Sequence, residues 1–110
     1  MTLTDKTGAP VTITREASEF TIGVEGKTVG HTDFAERDGQ RVFYHTEVDP
    51  AFGGRGLATV LIGEALAATR ADGLRIVAVC PMVAAYVKKN HEFDDVLDLP
   101  TPQILESLPR

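Results

Sequence analysis

Hydrophobic residues change their period once along this chain, near residue 50, and that change limits the folds open to it. Upstream, four runs rich in β-branched and aromatic residues read as strands: VTITREA, EFTIGVE, TVGHTDFAE and RVFYHTEV. Turn residues stand between them, Gly26 with Lys27 and Asp38 with Gly39. Asp-Gly between two such runs is a strong hairpin signal, so the four strands are expected to form an antiparallel meander. Downstream, Leu57, Leu61, Ala65 and Ala68 recur at helical spacing until Asp72 and Gly73 supply a stop. LRIVAVC, residues 74 to 80, then reads as a short buried strand, and Pro81 is placed to open a second helix over PMVAAYVKKN with Cys80 in the cap position. The expected fold is α/β in the mixed α+β sense: a compact, mostly antiparallel sheet of about five strands with two or three helices. Residues 1–10 read as a flexible N-terminal segment, 11–98 as the domain, and 99–110 as a tail in which Thr101 and Pro102 offer the start of a short helix over QILESL.

The chain has 110 residues, enough for one hydrophobic core and too few for two. Its 43% hydrophobic and 25% charged content is ordinary for a globular domain. The net charge of -5, with Lys and Arg scattered and outnumbered, argues against nucleic acid as a partner. Any anionic ligand must be held locally. A single cysteine, Cys80, forms no internal disulfide. The polar start MTLTDKTGAP has neither the basic flank nor the apolar centre of a secretion signal. The most apolar stretch, LATVLIGEALAA, carries Glu64 and is too short to span a bilayer. The expected setting is cytoplasmic, without a membrane partner, and composition leaves the oligomeric state open.

Three glycines crowd the strand-to-helix junction HTEVDPAFGGRGLA, residues 45 to 58. The loop is not a P-loop, because Leu57 and Ala58 stand where Lys and Ser or Thr are required. It is not a dinucleotide fingerprint either, because the strands before it form a meander and position 59 is Thr. It does place backbone N–H groups with little side-chain cover at a helix N-terminus, where the helix dipole favours an anion such as phosphate or pyrophosphate. Gly54 and Gly56 would let that anion reach the main chain, and Arg55 would add a charged contact. The alternative is that the glycines only turn the chain.

Cys80 ends a strand and begins a helix, a position whose field favours a thiolate, although a free cysteine also serves as a small buried hydrophobe. His45 ends the strand before the glycine loop. In a strand–helix–strand unit these two strand ends are expected to be neighbours, with His45 able to handle a proton for the thiol or for an incoming amine. Pairing with Glu47 or solvent is its plainer role. Three histidines and one cysteine show no metal-ligand spacing, so no metal is expected, and His31 and His91 receive no chemistry.

The order of four antiparallel strands, glycine loop, helix, strand and helix resembles the GCN5-related N-acetyltransferase fold. The family's loop reads Gln or Arg, two free positions, Gly, one free position, then Gly or Ala. Here that frame is Gly53, Gly54, Arg55, Gly56, Leu57, Ala58, with Gly53 in place of the usual Gln or Arg. HTEV at 45–48 and CPMVAAY at 80–86 resemble the short single-domain branch of the family, with Met82 in place of an aromatic residue. The similarity covers roughly residues 11–97.

The resemblance implies acetyl-CoA as cofactor, with its pyrophosphate on Gly53, Gly54, Arg55, Gly56, Leu57 and Ala58 and its pantetheine arm paired to the backbone of Thr46, Glu47 and Val48. It implies Cys80 and His45 at the acetyl-transfer site, an N-acetyltransferase activity that goes through or is assisted by the cysteine, and an amine acceptor, small molecule or protein. The tyrosine that protonates the departing thiolate in ordinary members is replaced by Val87, and Tyr86 is turned about 100° around the helix. Asn90 and His91 also depart from the family's His-Pro. Lys88 and Lys89 would reach CoA phosphates or form a solvated helix face. The alternative functions are a non-catalytic acyl-CoA-binding or interaction module and a redox-responsive domain built around Cys80.

Overall fold

The alternating runs of the first half become strands that pair in the order of the sequence. The computed structural model describes residues 3–4, 7–54 and 56–108. A two-residue strand β1 (Leu3–Thr4) leads into β2 (Pro10–Arg15), β3 (Glu19–Val24), β4 (Lys27–Arg37) and β5 (Gln40–Val48), all antiparallel to their neighbours. Both sharp hairpins are two-residue turns with positive φ at each central residue, Glu25–Gly26 at 52° and 83° and Asp38–Gly39 at 46° and 77°. That backbone twist matches the twist of the strands it joins. The Asp38–Gly39 turn lies where the sequence put it. The other falls one residue earlier than Gly26–Lys27, and Lys27 opens β4 opposite Val24.

After the meander the chain crosses over through α1 (Leu57–Ala71), and β6 (Arg75–Ala78) then pairs parallel to β5. Next come α2 (Pro81–Lys89), a 3-10 segment His91–Val96, β7 (Leu97–Asp98) parallel to β6, and α3 (Pro102–Ser107). Among the described residues the sheet therefore has seven strands rather than about five. The two extra strands are short pairings at its margins, where little apolar pattern exists to announce them.

Leu57, Leu61, Ile62, Ala65 and Leu66 form the buried stripe of α1 and meet Phe20, Ile22, Phe34 and Phe43 on one face of the sheet. The rings of Phe20 and Phe34 are 5.3 Å apart and those of Phe34 and Phe43 5.9 Å. Val83 and Val87 of α2 join this core. On the other face Val42 and Val77 meet Ile104 of α3, whose first turn is capped by Thr101. Arg41 lies with the first core, 1% exposed, its guanidinium 4.8 Å from the Phe34 ring centroid and bonded to Thr69, Glu36 and Asp72. It ties the end of α1 to the sheet.

The feature that positions the site is a bulge in β5. Asp33 pairs with His45 but Phe34 pairs with Phe43, so Tyr44 is an extra residue. The alternation shifts there by one. Phe43 faces the helices, and the next residue to do so is Thr46 rather than His45. Pairing between β5 and β6 ends at the same point: Phe43–Ala78 is the last pair, and the Phe43 carbonyl accepts from both Val79 N and Cys80 N.

Candidate active site

Beyond Phe43 the two parallel strands part, and among the described residues no strand covers the β6-facing edge of Tyr44 to Val48. A groove of about 620 Å³ opens along that stretch, walled by Gly30, Thr46, Glu47, Val48, Asp49 and Met82. Met82, 38% exposed, is shared with a second hollow of about 450 Å³ against Ala58, Thr59, Ile62, Ala85 and Tyr86. Val48 is shared with a third, of about 230 Å³, over Phe52, Gly53, Gly54, Gly56 and Ala58. The three are continuous in their walls, running from the free edge of β5 past the glycine loop to α2.

The loop itself begins with a short 3-10 turn at Pro50–Phe52, held by the Asp49 carboxylate accepting from Ala51 N at 2.9 Å. Gly54 and Gly56 have φ of 78° and 74°, the left-handed region that glycine adopts without penalty. Gly53 is extended, so its conformation does not demand glycine; a Cβ there would stand 3.2 Å from the Pro50 carbonyl. Arg55 lies outside the described residues. Gly56 gives α1 no side-chain cap and no acidic residue occupies the first turn. The first ladder bond of the helix runs from Val60 N to Gly56 O, and the N–H groups of Leu57, Ala58 and Thr59 have no partner within the helix. The Leu57 side chain is buried in the core, so it can offer a ligand only its backbone.

Cys80 is the N-cap residue of α2 and is 3% exposed. Its thiol donates to Thr46 Oγ1 at 3.3 Å, and Thr46 Oγ1 is 2.9 Å from Thr32 Oγ1, which makes a buried row of one thiol and two hydroxyls. Thr46 was expected to act through its backbone alone; its side chain joins the cysteine to the groove wall. The strand ends that carry Cys80 and His45 are neighbours as expected, but the side chains are not. His45 and Thr46 are successive strand residues and point to opposite faces of the sheet. His45 turns away from Cys80, half-exposed, with Nε2 3.2 Å from Glu47 Oε1.

Around His45 the outer face of the sheet carries Glu19, His31, Asp33, Tyr44 and Glu47. His31 Nδ1 is 2.9 Å from Asp33 Oδ1. Burial pulls the His31 imidazole down, but the bond and charge of Asp33, with Glu19 and Glu47, outweigh it and hold the pKa above its ordinary value. Burial raises the Glu19 carboxyl, and a hydrogen bond with Asp33 adds to the effect. Tyr44 is raised by burial and then by the charges of Asp33 and Glu19. These groups come from three strands, and no spacing along the chain collects them.

Val87 is buried in the core and offers no acid. The Tyr86 hydroxyl points to Glu92 Oε1 at 3.3 Å and lies over Gly63 of α1, where an added Cβ would approach it to 2.9 Å. Lys88 and Lys89 are exposed, and Lys89 borders the second hollow. Asn90 closes α2 by donating from Nδ2 to the Tyr86 carbonyl at 3.0 Å, and His91 pairs with Asp94 on the surface. No helix among the described residues is long and apolar enough to cross a membrane.

Residues 19–96 match the family model described as GCN5-related N-acetyl-transferase. The fold is similar to the NMR solution structure of a GCN5-like candidate N-acetyltransferase from Staphylococcus aureus. The TM-score is 0.64 at 22% sequence identity, over 83% of this chain and 91% of that one. No curated protein matches the chain.

Proposed function

This chain belongs to the GCN5-related N-acetyltransferase family, and on that footing we propose that it transfers the acetyl group of acetyl-CoA to an amine. The observation that carries this reading is the parting of β5 from β6 at the Tyr44 bulge, which leaves a strand edge facing a groove that runs on to the uncapped start of α1. The acyl donor fits that course. The free edge of Thr46, Glu47 and Val48 can bond the amides of a pantetheine arm as another strand would, and among the described residues nothing beyond its chain neighbours lies within 4 Å of the place where a Cβ on Gly54 would stand. The N–H groups from Gly56 to Thr59 would hold the pyrophosphate.

Bound there, acetyl-CoA supplies an activated acyl group: transfer forms an N–C bond, breaks the C–S bond, and leaves a thiolate to be protonated and an ammonium to lose a proton. Two residues handle these protons, Cys80 from the start of α2 and His45 from β5, the latter through water because its side chain turns to the outer face of the sheet. Cys80, with its thiol on Thr46, serves the sulfur side, giving its proton to the departing thiolate and regaining one from solvent. Its burial and its hydrogen bond support an assisting role over that of a nucleophile. His45, with Nε2 3.2 Å from Glu47 Oε1, presents Nδ1 to take the proton of the amine. The groove is open, so the acceptor approaches from the outer face of the sheet.

The test has two stages. Acetyl-CoA at about a hundred times its dissociation constant stabilises the chain by about 2.7 kcal/mol in thermal unfolding. Incubation with a panel of small amines and lysine peptides then releases free CoA thiol at a rate that falls in both His45→Ala and Cys80→Ala. Stabilisation with no acceptor consumed at all would leave a binding module. Absence of stabilisation would remove the proposal. An acetyl adduct on Cys80 in intact-mass measurements would replace the assisted route by a covalent one.

A further inference from the structure

The geometry points to a site for one divalent transition-metal ion, of the class that includes Zn²⁺, held by His31, His45 and Glu47 on the outer face of the sheet. It goes beyond the acyl-transfer reading and shares His45 and Glu47 with it. His31 and Glu47 are direct cross-strand partners, and His45 precedes Glu47 by two residues on the same strand, so β4 and β5 present all three on one face. Their ligand atoms lie within 4.8 Å of one another. His45 Nε2 is 3.2 Å from one Glu47 oxygen and His31 Nε2 is 3.5 Å from the other. A tetrahedral ion with metal–nitrogen and metal–oxygen bonds of about 2.1 Å needs its donors about 3.4 Å apart. The two histidine-to-carboxylate gaps are therefore already close to the required size, and the third is at most 4.8 Å.

His31 is also oriented as a ligand. Its Nδ1 lies 2.9 Å from the Asp33 carboxylate, which keeps a proton on Nδ1 and leaves Nε2, facing Glu47, as the nitrogen that gives up its proton to a metal. The two imidazole rings are 5.8 Å apart and inclined at 47°, so they do not stack against each other. Glu19 stands behind His31, 3.7 Å from Nδ1, and with Asp33 adds negative charge beside the site. Glu47 is 66% exposed and His45 48%, so an ion can enter from solvent and keep water in its remaining positions. Two imidazoles and one carboxylate suit zinc, nickel or copper; magnesium and calcium need more oxygen donors than this face supplies.

Calorimetric titration of the untagged full chain, freed of metal by chelator, with Zn²⁺ is expected to show one saturable site per chain. Affinity falls at least tenfold in His31→Ala and in His45→Ala, and about 10- to 100-fold in Asp33→Asn, which removes the carboxylate charge and weakens the orienting bond. His91→Ala keeps full affinity. Zn²⁺ also raises the melting temperature of the parent chain but not of the His31→Ala, His45→Ala double variant, whose circular dichroism reports whether it is folded. Three results overturn the inference: no saturable binding, binding retained by the folded double variant, or binding abolished by Cys80→Ser. Mg²⁺ binding as tight as Zn²⁺ overturns the assigned class of ion.

Discussion

Strand β5 passes through two unlike surroundings. From Gln40 to Phe43 it is paired on both edges and covered on both faces, by α1 on one side and α3 on the other. From Tyr44 to Val48 it is paired, among the described residues, on one edge only, lined by hydroxyls and a thiol toward the helices and by imidazoles and carboxylates toward solvent. Where both edges are satisfied, burial and one clamped arginine make a stable platform. One extra residue then ends the pairing and exposes polar backbone to a groove. The stable half holds its shape so that the open half can offer unpaired groups to a ligand.

The largest expected effect strikes the closed half. Arg41→Ala removes a buried cation from Asp72, Glu36 and Thr69 and leaves a void beside Phe34, and it should cost about 3–5 kcal/mol in urea unfolding. A variant that unfolds with unchanged stability would mean the clamp does not hold the platform. At the floor of the groove, a Cβ on Gly30 would stand 2.9 Å from the Glu47 carbonyl and 3.1 Å from both Ile22 and Val48 side chains. Gly30→Ala should force β4 and β5 apart, destabilise the chain by about 1–3 kcal/mol, and weaken acetyl-CoA binding measured by calorimetry. Equal affinity would separate the floor from the ligand.

Smaller changes sharpen the contrast. Thr46→Val keeps the side-chain shape but leaves the Cys80 thiol and the Thr32 hydroxyl without that partner, for about 1 kcal/mol of stability and a drop in acyl transfer larger than in acetyl-CoA affinity. Thr101→Ala removes the cap that accepts from Ile104 N and should cost about 1 kcal/mol while leaving transfer intact, because α3 covers only the closed half. Acid should act on that half as well. Asp72 is held below the ordinary carboxylate range by hydrogen bonds from Arg15 and Arg41, and Asp98 by bonds from Gln40 and Arg75. Their contributions are complete above the unfolded-state pKa and are lost as pH falls through the lower folded values. Amide protection relative to the unfolded rate should therefore fall at the C-terminal end of α1 below about pH 4 before it falls in the β3–β4 hairpin.

Most of the fold could be read from the chain because it rests on local signals. The meander came from alternating runs and the Asp38–Gly39 turn, α1 from the spacing of Leu57, Leu61 and Ala65, and α2 from Pro81 after Cys80. The strands β1 and β7 escaped notice because each is two residues long and is stabilised by its neighbour rather than by a pattern of its own. At the site, the glycine loop and the position of Cys80 were legible in the same local way. The separation of His45 from Cys80 was not, since it depends on a bulge whose only cause is the unequal pairing of β4 with β5.

Sequence alone determined which segments extend, which coil, and where the main chain would be bare of side chains, because period, turn chemistry and glycine act over a few residues. Tertiary structure decided which side chains share a face: Cys80 with Thr46 and Thr32, and His31 with His45 and Glu47. Those groupings join residues far apart in the chain through strand register, and one inserted residue in one strand moves every side chain beyond it to the other side of the sheet.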